Sequence, residues 1–183
     1  MNNILITGGA RSGKSAFAQE LALKLGEPVL FVATATAGDQ EMAERIEQHQ
    51  RERPTGWSTF EATTHIGGQI PGRIGNARVV IVDCITLLVG NIFGQYEPQG
   101  ERIDTRQVEQ DVSAEIDELM ECMKRVDARF IIVTNEVGTG LVPPSRVARL
   151  YRDLLGKANQ VLAEISDEVY LMAAGLPVRI KPA

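Results

Sequence analysis

The chain has 183 residues, 44% hydrophobic and 23% charged, with a formal net charge of −5. That length suits one domain with a sizeable core, and the acidic balance argues against a general nucleic-acid-binding surface, which needs a basic face. No apolar run approaches the roughly 18 residues of a membrane helix, so membrane insertion is not expected.

Ile4-Leu5-Ile6-Thr7 is a short apolar run that reads as a first buried strand. Gly8-Gly9-Ala10-Arg11-Ser12-Gly13-Lys14-Ser15 follows and satisfies G-x-x-x-x-G-K-[ST], the phosphate-binding P-loop. Lys14–Leu25 then reads as a helix, which completes the strand–loop–helix context the motif requires. Small residues at Gly8, Gly9 and Gly13 let backbone N–H groups close around phosphates, and the helix start adds partial positive charge. Lys14 is expected to reach the β- and γ-phosphates, and Ser15 to bind Mg²⁺. With a strand starting this close to Met1, a signal peptide is not expected.

Val29–Thr34 reads as the second strand, and its end leads into Ala35-Thr36. Asp39 is placed to cap a helix that runs to Arg53, where Pro54 stops it. Arg45, His49 and Arg53 recur at i, i+4 and i+8 near one stripe of that helix, with Arg51 on a neighbouring face. A neutral imidazole, with an unperturbed pKa near 6.5, is a competent nucleophile at pH 7. Attack on an α-phosphorus gives a phosphoramidate and releases pyrophosphate. Neighbouring arginines keep His49 unprotonated and stabilise transition-state charge. A solvated surface histidine is the alternative reading. His65, in a Thr/Gly-rich segment without basic company, reads as structural or solvated.

Val79–Asp83 is four apolar residues and an acid, a Walker-B-like strand whose Asp83 is a candidate Mg²⁺ ligand, directly or through water. Gly94–Arg102 reads as a polar surface loop. The third helix, about Thr105–Val126, repeats apolar residues at Val108, Val112, Ile116, Leu119 and Met123. Its acids Glu109, Asp111, Glu115, Asp117, Glu118 and Glu121 read as a solvated face. Phe130–Thr134 is the fourth strand, leading into Asn135-Glu136-Val137-Gly138. A fourth helix runs from about Ser145 to Ile165, and Glu168–Met172 and Val178–Ile180 are the last strands. Cys84 and Cys122 show no metal-ligand spacing and read as buried thiols in a reducing cytoplasm.

Continuous Val/Ile/Leu strands alternating with helices imply an α/β fold with a mostly parallel, doubly wound sheet. Ligands in such sheets sit beyond the carboxyl ends of the strands, where the P-loop, Asp83 and the Thr134–Gly138 segment converge.

Four segments together carry a family resemblance: Thr7–Ser15; Arg45-Ile46 with His49, Arg53-Pro54 and Trp57; Asp83-Cys84-Ile85-Thr86; and Thr134–Gly138 through Gly140, Pro143, Arg152-Asp153, Gly156 and Asn159-Gln160. The chain resembles, over nearly its whole length, the bifunctional adenosylcobinamide kinase / adenosylcobinamide-phosphate guanylyltransferase family of cobalamin biosynthesis. The P-loop is common to many NTPases; the Arg-Ile-x-x-His helix joined to Thr-Asn-Glu-Val-Gly is the specific part.

The resemblance implies a RecA-like P-loop NTPase fold, one nucleotide-binding catalytic domain over residues 1–183, and a homotrimer. It implies phosphorylation of adenosylcobinamide by ATP or GTP. Transfer of GMP from GTP through a histidine to adenosylcobinamide phosphate follows, giving adenosylcobinamide-GDP. The matching histidine is His49. Nucleotide contacts carried over by position are Gly8, Gly9, Ala10, Arg11, Ser12, Gly13, Lys14, Ser15, Ala33, Thr34, Ala35, Gln50, Arg51, Glu52, Arg53, Glu61 and Asp83. Gln50 departs from the basic residue common there. Two other readings compete: a P-loop small-molecule kinase with His49 a bystander, and a RecA-like ATPase module that couples hydrolysis to conformational change or DNA binding, the last disfavoured by the acidic net charge.

Overall fold

The apolar runs hydrogen-bond into one seven-stranded sheet in the order β3-β2-β4-β5-β1-β6-β7. The computed structural model describes residues 2–36, 40–51, 53–96 and 102–182; the side chains at positions 41, 42, 45, 48 and 49 are not among those described. The strands are β1 (Ile4–Gly8), β2 (Val29–Ala33), β3 (Ser58–Glu61), β4 (Val79–Asp83), β5 (Arg129–Val133), β6 (Glu168–Ala173) and β7 (Leu176–Lys181). The helices are α1 (Lys14–Leu25), α2 (Gln40–Arg51), α3 (Ile66–Arg73), α4 (Ile85–Gly94), α5 (Thr105–Arg125) and α6 (Arg146–Ile165). All neighbours pair parallel except β6 and β7, which form an antiparallel hairpin.

Successive residues of a strand face opposite sides, so each central strand feeds two cores. Leu5, Leu30, Val32, Val80, Val82, Phe130 and Ile132 pack with residues of α3, α4, α5 and α6 on one face. Ile4, Ile6, Phe31, Ile81, Ile131 and Val133 pack on the other face with Ala18 and Ala22 of α1. Both faces are therefore dry, which is why these strands read as unbroken apolar runs.

Three elements had no counterpart in the sequence reading: β3, α3 and α4. The expected second helix ends at Arg51 rather than Arg53, so Arg53 lies just beyond it. Its expected cap, Asp39, lies outside the described residues, as does the 97–101 part of the expected Gly94–Arg102 loop; Gly94 itself closes α4. Val178–Ile180 is the middle of the longer strand β7.

The acidic face of α5 is also corrected. Glu115 is only 4% exposed, and its carboxylate accepts the backbone N–H of His65 at 2.6 Å and of Ile66 at 3.0 Å. It caps α3 from another helix, where a negative charge suits the positive end of the helix dipole. Gly67 lets the two helices touch, because a Cβ there would lie 2.4 Å from the Glu118 carbonyl. His65 has an exposed side chain, with Nδ1 3.3 Å from Glu118.

Candidate active site

A cleft of about 450 Å³ opens beyond the carboxyl ends of β1, β2, β4 and β5. It is lined by the P-loop from Ala10 to Ser15, by Phe31 and Ala33 of β2, by Glu61 and Asp83 at two strand ends, and by Arg53 and Asn135. The sheet order brings these together: β4 and β5 lie side by side next to β1, so Asp83 and Asn135 end beside the loop that follows β1.

The P-loop takes its shape from backbone conformations that favour glycine. Gly8 has φ 149° and Gly13 φ 92°, and a Cβ on Gly8 would lie 2.6 Å from the Met172 carbonyl oxygen. The β6–β7 turn braces the loop from behind, with Gly175 N–H donating to the Ser12 carbonyl at 3.1 Å. Helix α1 starts at Lys14 with no side-chain cap and no acid in its first turn. Its first N–H groups and its positive dipole end therefore face the cleft, an anion site by construction.

Lys14 is 7% exposed, and its ammonium donates to the Gly9 carbonyl at 2.6 Å and to Ser12 Oγ at 3.4 Å. Burial lowers its pKa, partly offset by Cys84 and Asp83. Arg53 lies with its guanidinium carbon 4.0 Å from the Phe31 ring centre, and Phe31 stacks on Trp57. Burial lowers its pKa too, against the attraction of Asp83 and Glu61, and its Nε is buried without a hydrogen-bond partner. Lys14 is a buried cation and Arg53 a half-buried one, and desolvation strengthens the attraction each exerts on an incoming phosphate. Ser15 and Asp83 offer a hydroxyl and a carboxylate to the same cleft, hard oxygen donors of the kind Mg²⁺ takes.

A second cavity, about 550 Å³, adjoins the first and shares Ala35, Ile46 and Glu61 with it. Gln50 lines this second space and donates to Glu61 Oε1 at 2.9 Å. Ile46 and Gln50 belong to α2, so this helix walls both cavities. His49 lies on α2 three positions after Ile46 and four before Arg53. The side chains of His49 and Arg45 are outside those described, as is Glu52 altogether.

Some expected contacts are placed elsewhere. Thr34 is fully buried, and its hydroxyl accepts from Cys84 N–H and donates to the Cys84 carbonyl, both at 2.7 Å. It thus holds the residue after Asp83 and does not line the cleft. Arg51 is exposed and pairs with Glu47 at 2.5 Å. Asn135, which the residue-by-residue reading did not assign to the nucleotide, does line the cleft. Cys84 is buried there, its thiol pushed up to about 12 chiefly by desolvation.

The model of the cobinamide kinase / cobinamide phosphate guanyltransferase family matches residues 4–180. The chain belongs to this family. It is 42% identical over 180 residues to the bifunctional adenosylcobalamin biosynthesis protein CobU of Escherichia coli K12, covering 97% of this chain and 99% of that one. It is 40% identical to the CobU protein of Salmonella typhimurium LT2 over 97% of this chain and 99% of that one. It is 38% identical to the bifunctional CobP protein of Pseudomonas aeruginosa PAO1 over 97% and 96%. Among solved structures, the RadB recombinase superposes with TM-score 0.52 at 16% identity, over 93% of this chain and 73% of that one. A type III secretion ATPase of pathogenic bacteria superposes with TM-score 0.54 at 13% identity, over 97% and 56%. Those two likenesses show the fold, a RecA-like P-loop architecture. Among the described residues no helix is long and apolar enough to cross a membrane.

Proposed function

We propose that this family member carries out both reactions in the one cleft, as a single catalytic domain over residues 1–183. In the first, the hydroxyl oxygen of adenosylcobinamide attacks the γ-phosphorus of ATP or GTP. The bond to the β-phosphate breaks, and the hydroxyl proton is lost. In the second, a ring nitrogen of His49 attacks the α-phosphorus of GTP and expels pyrophosphate. A phosphate oxygen of adenosylcobinamide phosphate then attacks the same phosphorus and releases the imidazole, giving adenosylcobinamide-GDP.

The observation that carries this reading is that α2, the helix of His49, walls the same cleft that the P-loop, Asp83 and Arg53 line. The P-loop N–H groups, from Gly8 to Ser15, cradle the phosphates, and Lys14 turns from the Gly9 carbonyl to a phosphate oxygen. Arg53 neutralises charge beside it, and Glu61 with Gln50 edges the space for the rest of the nucleotide. Ser15 and Asp83 would hold Mg²⁺, which screens phosphate charge when bound. A reducing cytoplasm suits the two free, buried cysteines. The homotrimer is part of this reading; Leu176, Val178 and Ile180 on edge strand β7 are exposed apolar surface of the kind that association covers.

His49→Ala tests the division of labour. It is expected to abolish GMP transfer and to keep phosphoryl transfer to adenosylcobinamide. Retained GMP transfer would make His49 a bystander and send the GMP by a route that does not pass through it; loss of both activities together would refute separate roles.

A further inference from the structure

Asn135 is a cleft residue whose backbone is held by side chains and not by the sheet. Its neighbours continue the pairing of β5 with β1: Thr134 N–H donates to the Ile6 carbonyl and Glu136 N–H to the Gly8 carbonyl, both at 3.0 Å. Both peptide groups of Asn135 itself are taken by side chains from two helices. Its N–H donates to Thr86 Oγ1 of α4 at 2.7 Å. Its carbonyl accepts from Asn159 Nδ2 of α6 at 3.0 Å. The other end of the same amide, Asn159 Oδ1, accepts the Thr134 hydroxyl at 2.7 Å. Tyr151, also on α6, donates its hydroxyl to the Thr86 carbonyl at 2.9 Å, which ties the two helices together at this point.

A clamp of this kind fixes direction more than it adds stability. A half-buried amide that satisfies both its ends on one dipeptide sets where the next side chain points. The held residue lies between Asp83 at the end of β4 and the P-loop after β1, because β5 is between those strands. That is where the terminal phosphoryl group of a P-loop-bound triphosphate sits, between the lysine and the Walker-B acid. Helix α2 lies on the other side, since it joins β2 to β3 and β4 separates those strands from β5.

We propose that the Asn135 side-chain amide contacts the transferred γ-phosphoryl group in the kinase step, and that Asn159 is the positioning residue that aims it. An amide neither takes nor gives a proton at neutral pH. Asn135 therefore supplies a fixed N–H donor to developing charge on the phosphoryl oxygens and moves no proton. The inference rests on the two-reaction reading above and divides its steps further: γ-phosphoryl transfer depends on the Asn135 clamp, and attack at the α-phosphorus from α2 does not.

The test runs both half-reactions on the full chain: phosphoryl transfer from ATP to adenosylcobinamide, and labelling of the protein by GTP radioactive at the α-phosphate. Asn135→Ala is expected to lower kcat for phosphoryl transfer by about tenfold to a hundredfold, with KM for ATP and the labelling rate within about threefold. Asn159→Ala is expected to do the same more weakly. The double variant is expected to be no worse than Asn135→Ala alone, because the second change acts only through the first. If Asn159→Ala folds poorly, Thr134→Val removes one bond of the clamp and Thr134→Ser restores its hydroxyl; the kinase rate is expected to fall in the first and recover in the second. Equal losses in both half-reactions, or additive losses in the double variant, overturn the inference. Wild-type protein that phosphorylates but takes no label refutes the His49 step instead, and leaves the kinase arm of this test intact.

Discussion

Glu115→Ala should be one of the most damaging single substitutions outside the cleft. The carboxylate is 4% exposed and accepts two backbone N–H groups, of His65 and Ile66, at the start of α3. Truncation leaves both donors without a partner in a region that Ile66 and Ile70, each fully buried, keep dry. An unsatisfied buried donor costs about 1–3 kcal/mol, and the lost charge at a helix N-terminus about 0.3–1 kcal/mol more. Allowing for water that enters the vacated space, the net loss is about 3 kcal/mol, which for a chain of this size lowers Tm by about 6–12 °C. Glu115→Gln keeps one acceptor oxygen and should lose roughly half as much. Glu118, whose partner is the exposed His65 ring, is the control: Glu118→Gln should cost less than about 1 kcal/mol. Thermal unfolding followed by circular dichroism, with urea titration for the free energy, reads all three. An Ala variant melting within about 2 °C of wild type would refute the cap.

Lys14→Met should raise the Kd for GTP by about a hundredfold, the worth of a desolvated charge-assisted contact, and abolish the Tm rise that GTP gives the wild type; an unchanged Kd contradicts the proposed P-loop role. Cys84 gives a pH prediction. Its folded pKa, about 12, lies above the ordinary 9.0, so above pH 9 the unfolded chain loses this proton first. Stability due to the protonated thiol is full below pH 9 and is lost as pH rises towards 12, so wild type should lose Tm relative to Cys84→Ala across that range. Parallel Tm curves would contradict the buried, proton-bearing thiol.

The parts legible in the sequence were those fixed locally. The P-loop and the four apolar strands β1, β2, β4 and β5, of which β4 is the Walker-B strand, declare themselves because glycine conformation, helix start and two-sided burial are written in adjacent residues. The missed elements are those decided at a distance. Helix α3 contains Gly67, Gly68, Pro71 and Gly72 within eight residues, a composition that argues against a helix; its packing on α5 and its cap from Glu115 override propensity. Strand β3 has four residues with one buried position, too little for a periodic signal. Helix α4 is an apolar run that a buried strand would also explain. In the site, Lys14, Ser15, Asp83, Arg53 and Glu61 do converge on one cleft. The hydroxyl of Thr34 bonds to a residue 50 positions away, a pairing that only the sheet order creates and that the sequence does not announce. Asn135 sat within a motif already singled out, yet its place beside Asp83 and the P-loop also needed the strand order.

The most direct test of the central claim is mass spectrometry of the wild-type protein after incubation with GTP and Mg²⁺. The account predicts one added GMP, on a peptide containing His49, stable to alkali and labile to acid, and absent from His49→Ala. An unmodified His49 in protein that still makes adenosylcobinamide-GDP, or a GMP carried by another residue, would contradict it.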